Sequence, residues 1–262
     1  MVPWSRKSKA LVYAVAGAAA VAMLAALHAA ESAAAVGAVE VNRLLNVAAA
    51  WLAAGGLLIT GSGLSRGARP VWLWLAAGAA ALAVGDAVVA YYVVVRRAMP
   101  RALWVVNFLY LAGYLVITAA LLIKAKSLPW SWRPLVRLAA VAVVGAAFVV
   151  WLYSSFRVLI SQPAVPAVVK FFVAAFPLAD FAMVALAVYI FTTFGRGVAG
   201  RPWMAITVGV LAIALSDLAG SLYASWPAAM VVLRPGALVA QFAGYAAIAW
   251  GAWYHRAILK ES

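Results

Sequence analysis

Two stretches decide how this chain is read: Ala83-Val84-Gly85-Asp86, followed by Tyr92, and Ala214-Leu215-Ser216-Asp217, followed by Tyr223. Each sets a carboxylic acid inside an apolar run long enough to cross a bilayer, which takes about 20 residues. The offset from Asp86 to Asp217 equals the offset from Tyr92 to Tyr223, and it is half the length of the 262-residue chain. An acid at bilayer depth costs about 3 kcal/mol on insertion scales, so both should face protein or water rather than lipid.

The same half-chain offset pairs Trp72 with Trp203, Gly78 with Gly209, Gly113-Tyr114 with Gly244-Tyr245, and Ile117 with Ile248. The surrounding composition is that of a membrane protein: 69% hydrophobic and 10% charged residues. Soluble domains sit nearer half apolar. Apolar run length gives eight transmembrane helices, at 10–28, 39–60, 71–95, 103–124, 135–155, 168–194, 203–224 and 237–256. The fold class is therefore all-α and polytopic. It is built from two parallel four-helix repeats, residues 1–128 and 129–262, because each repeat holds an even number of spans. Span one, though signal-like, is kept as the partner of span five.

A net charge of +14 on a soluble protein would suggest nucleic acid. Here the basic residues fall between spans, so they set topology and meet anionic lipid. With the N-terminus inside, 13 of the 20 Lys and Arg residues are cytoplasmic and 7 are outside. Both termini are then cytoplasmic, in the plasma membrane. Most of the tryptophans are expected in the interfacial belt. Nucleic acid is excluded as a partner. Membrane lipids, a small-molecule or lipid ligand, and a membrane-protein partner remain.

The polar residues fall on faces. Ala79, Ala83, Asp86 and Ala90 share one face of span three, and Val210, Ala214, Asp217 and Ser221 repeat it in span seven. Asn107, Tyr110, Tyr114 and Thr118 form a stripe on span four, with Gln241 and Tyr245 at the equivalent places of span eight. Pro177 precedes Asp180 in span six, where a proline frees a carbonyl one turn back. In span two, Arg43 can pair with Glu40 or reach Asp86. Under the chosen orientation these groups lie in the outer half, and the inner half reads as almost wholly Ala, Val, Leu and Gly. The pattern predicts an outward-facing polar cavity with Asp86, Asp180, Asp217, Asn107, Tyr110, Tyr114, Gln241, Tyr245 and Arg43 as ligand-binding residues. A bland alternative is that the Asp and Tyr residues only hold helices together.

Cysteine is absent, and His28 and His255 fall at opposite ends of the bundle, so neither a metal nor a cofactor is expected. No phosphate-binding loop, dinucleotide fingerprint or zinc-protease helix is present.

Pro177-x-x-Asp180, Asp217 with Tyr223, and Gly244-Tyr245 resemble the polytopic sensor regions that precede diguanylate cyclase domains in bacteria. That resemblance implies sensing of an extracytoplasmic or membrane signal. No output domain follows Ser262, so the expectation is a stand-alone module. Gly85-Asp86 in span three and Ser216-Asp217 in span seven also resemble the eight-span lysoplasmalogenase-like proteins. That resemblance implies an intramembrane hydrolase of lipid ether-type bonds, with Asp86 and Asp217 as catalytic acid and base. Asn107 with Tyr110, and Gln241 before Tyr245, depart from the residues expected there. A third reading is a membrane anchor subunit of a larger complex.

Overall fold

A computed structural model describes residues 37–97, 103–128, 134–161, 165–194, 200–225 and 230–259. The described residues form seven helices: α1 Gly37–Ser62, α2 Arg69–Val94, α3 Leu103–Lys126, α4 Pro134–Ser161, α5 Ala167–Phe194, α6 Gly200–Ser225 and α7 Met230–Leu259. They correspond in order to spans two to eight. Span one, with His28 and Glu31, lies outside the described residues, as do Pro129, Trp130 and Trp132. Five helices, α1, α2, α3, α5 and α6, are long and apolar enough to cross a membrane. Their outward faces carry Leu52, Leu115 and Leu215, each more than half exposed. Such faces suit hydrocarbon, so this is a membrane-embedded protein.

Two helices run past the spans that apolar run length predicts. Span five ends at 155 by that measure and span eight begins at 237, but α4 continues to Ser161 and α7 already starts at Met230. Arg157 and the Arg234-Pro235-Gly236 stretch interrupt the apolar run, not the helix. Exposed Arg157 needs no burial to stay helical.

Local chemistry sets several ends. Arg69-Pro70 opens α2, where proline loses no helical hydrogen bond and its φ is already helical. The far end of α2 closes through the Val95 and Arg96 amides, both donating to the Tyr91 carbonyl, and the chain then leaves through Arg97 at φ 51°. Lys124 and Lys126 fall in the last turn of α3, where the helix dipole favours cations. Pro177 is accommodated inside α5, which stays one helix.

Six of the helices close a ring. Each touches the next in the order α1, α2, α3, α5, α6, α7 and back to α1, while α4 packs outside against α5 and α6. Opposite each other across the ring stand α1 and α5, α2 and α6, α3 and α7. The members of each opposed pair are the helices that the half-chain offset relates. The tightest approach recurs at that offset. A side chain at Gly78 would meet Ile117 Cγ1 at 2.5 Å and the Gly113 carbonyl at 2.8 Å. A side chain at Gly209 would meet Ile248 Cγ1 and the Gly244 carbonyl, both at 2.6 Å. Only glycine admits this backbone-on-backbone contact, which in membranes replaces the hydrophobic drive between helices. Alanine lines the rest: Ala79, Ala83 and Ala90 of the Asp86 face are all buried.

Side-chain hydroxyls then tie neighbours together. Thr60 Oγ1 donates to the Ala252 carbonyl at 2.9 Å, joining α1 to α7, and Thr207 Oγ1 donates to the Ala187 carbonyl at 2.9 Å, joining α6 to α5.

Candidate functional site

Asp86 and Asp217 hold the same place along their helices, counted from Arg69 and from Gly200. They reach the ring's middle from opposite sides. Tyr110 Oη donates to Asp86 Oδ1 at 2.7 Å, and Tyr245 Oη donates to Asp86 Oδ2 at 3.0 Å. Gln241 Nε2 adds a longer bond to Asp86 Oδ1 at 3.4 Å. Tyr114 Oη donates to Asp217 Oδ2. The pairing crosses the molecule: Tyr245 of α7 bonds the acid of α2, and Tyr114 of α3 bonds the acid of α6. The two acids also interact electrostatically. Together Asp86, Asp217, Tyr110, Tyr114, Gln241 and Tyr245 make one polar centre.

Glycine makes one of these bonds possible. A side chain at Gly85 would lie 2.8 Å from Tyr110 Cε1, so the phenol rests on the backbone of α2 beside its acceptor. In the other half the corresponding pair is Ser216 and Gln241, where no ring has to lie on the helix.

The remaining sequence-predicted residues divide. Asp180 is 1% exposed, and both its carboxylate oxygens lack a hydrogen-bond partner among the described residues. It interacts electrostatically with Asp217 and Tyr114, so it belongs beside the centre. Half-buried Arg43 interacts electrostatically with Asp86 and Tyr110, and its buried Nε has no hydrogen-bond partner among the described residues. The side chain of Glu40, offered as its alternative partner, lies outside the described residues. Half-buried Asn107 makes no side-chain hydrogen bond to another described residue. Asn46 is not among the sequence candidates. It is nonetheless buried one helical turn beyond Asn42, with its Oδ1 unpartnered among the described residues.

A second cluster sits at the other end of the same helices. Trp72 and Trp203, each in the first turn of its helix, meet with ring centroids 5.5 Å apart. His255 stacks on Trp72 at 4.6 Å, and Lys124 Nζ lies over Trp203 at 5.5 Å from its centroid. Lys124 and His255 are themselves half a chain apart. One sequence expectation meets an exception here. These two tryptophans are core residues at 3% exposure, not belt anchors, because they meet each other across the ring and His255 stacks on Trp72. Lys124 and His255, which the sequence puts at this end of the bundle, are half-buried in it. The signal that could have found the cluster is the half-chain offset, applied to Lys124 and His255 as well as to the tryptophans.

No family model matches the chain, and no curated protein or solved structure matches it.

Proposed function

We propose that this protein is a sensor-like integral membrane module that binds a small molecule or lipid headgroup at the carboxylate–tyrosine centre and relays the change to a membrane-protein partner. One observation carries the reading: each acid takes a hydroxyl from a helix of the other half of the chain. A ligand that competes for either acid must move a tyrosine belonging to the other half. The same four helices carry both clusters, since α2, α3, α6 and α7 contribute Trp72, Lys124, Trp203 and His255 at the far end. Asp86 is about four turns from Trp72, about 20 Å along the helix. A rigid shift at the centre is therefore felt at the tryptophans.

The layout that goes with this reading is eight spans in two parallel repeats, residues 1–128 and 129–262. The ring order and the recurring glycine contact support it. The excess of basic residues at the ends of the helices that carry the tryptophan cluster supports cytoplasmic termini in the plasma membrane.

The test is native mass spectrometry of the full chain extracted from its host membrane in a maltoside detergent. A retained small molecule or lipid is expected on the wild type and lost from Asp217→Asn. The same adduct on both, or none on either, would contradict the reading. A second reading is intramembrane hydrolysis, with Asp86 and Asp217 as general acid and base around a water. Their electrostatic interaction and shared tyrosine frame favour it. Turnover of an ether lipid, abolished by either Asp→Asn change, would decide for it.

A further inference from the structure

Resting on the reading of the centre as a ligand site, we propose that Asp180 is the anchor for an organic ammonium, so that the ligand is an amine or a headgroup that carries one. Asp180 is 1% exposed, and neither carboxylate oxygen has a hydrogen-bond partner among the described residues. Asp86 differs sharply, since three side chains donate to it. A buried ionised carboxylate without donors is strongly disfavoured: alone such a group takes up a proton, and a cation is the complement that lets it carry its charge. Asp180 also has the neighbouring acid Asp217 within electrostatic reach, which adds to the attraction for positive charge.

Aromatic rings favour an organic cation over an inorganic one. Phe172, Phe176 and Asp180 recur at every fourth position, so they share a face of α5. Phe176 meets Tyr114 edge-on at 5.9 Å and stacks on Phe172 at 5.8 Å. Phe108 of α3 closes the group, 4.8 Å from Phe172. Alkylammonium groups are recognised by a carboxylate combined with ring faces. A sodium ion instead requires a shell of oxygens, and Phe172 and Phe176 on this face of α5 supply none.

The full chain in a maltoside micelle, whose headgroup holds no ammonium, is the material for the test. Thermal unfolding is followed while ethylammonium or tetramethylammonium chloride is titrated. Sodium chloride at equal ionic strength and tert-butanol are the controls. A saturable rise in Tm is expected with either ammonium and with neither control. Asp180→Asn should weaken it at least about tenfold, Asp180→Glu should keep it within about threefold, and Phe176→Leu should weaken tetramethylammonium about threefold. An equal rise with sodium, or an ammonium response unchanged in Asp180→Asn, overturns the proposal. If Asp180→Asn does not fold, the Phe176→Leu and Asp180→Glu titrations decide in the same way.

Reconstitution separates the two sources of ammonium, either of which supports the proposal. If the source is a headgroup, phosphatidylethanolamine vesicles should raise Tm over phosphatidylglycerol vesicles and cancel the effect of added ethylammonium. If it is a free amine, ethylammonium acts equally in both. Failure with every ammonium, while an adduct is still lost from Asp217→Asn, overturns the ammonium assignment and leaves the ligand site standing. No adduct and no response overturns both.

Discussion

The helix pairs α2–α3 and α6–α7 share a contact and differ in what they hold. Gly78 against Gly113 and Ile117 becomes, half a chain later, Gly209 against Gly244 and Ile248 with near-identical distances. Among the polar residues Asp86 and Tyr114 recur as Asp217 and Tyr245, but their neighbours do not match. Tyr110 corresponds to Gln241, Gly85 to Ser216, and Lys124 to His255 at the same offset. On the opposed helices α1 and α5, Ala49 stands where Asp180 does. Packing is kept in both halves, whereas the polar surroundings of the two acids are kept only in part. The substitutions are physically linked, because a serine at Gly85 would press on the Tyr110 ring, whereas Ser216 has a glutamine at that place. Under the function proposed above, the positions at which the halves disagree are the ones a specific ligand would set.

The largest way to break this comparison is at the shared contact. Gly78→Val and Gly209→Val each place carbon against a backbone carbonyl that cannot move away. Each should cost about 3 kcal/mol, nearly equally, in thermal or SDS unfolding of the detergent-solubilised chain. A loss at one site only would mean that the two contacts are not equivalent. Next, Gly85→Ser should cost about 2 kcal/mol by displacing Tyr110 from Asp86. Adding Tyr110→Gln, which gives α2–α3 the pair that α6–α7 already has, should recover most of it. A double variant no better than Gly85→Ser would show that the ring contact is not what glycine serves. Smallest is Lys124→Met, which keeps the apolar stem and removes the charge over Trp203. A loss of about 0.5 kcal/mol is expected by the same assay. A loss several times larger would show that Lys124 holds that end by more than the ring contact.

Much of this is legible because the packing residues recur at one offset. Spacing alone pairs Gly78 with Gly209 and Tyr114 with Tyr245, and helical faces put Ala79, Ala83 and Asp86 together. What spacing does not carry is which acid a tyrosine bonds. Tyr110 and Tyr114 share one stripe of α3, yet the first bonds Asp86 and the second bonds Asp217. That split follows from the ring order, in which α3 neighbours α2 and faces the centre one turn further along. Helix order around a bundle leaves no periodic trace in any single segment. The tryptophans mislead for a related reason. An indole in the first turn of a span suits the membrane interface equally well, and only the partner opposite, Trp203 for Trp72, moves it into the core.

The central claim is that the two acids are held by tyrosines exchanged across the ring. Double-mutant cycles on Tyr114→Phe with Asp217→Asn, and on Tyr245→Phe with Asp86→Asn, measure it most directly. The account predicts a coupling of about 1 kcal/mol in both, and near zero for Tyr114→Phe with Asp86→Asn. Additive effects in the two crossed pairs, with the coupling found instead between Tyr114 and Asp86, would contradict it.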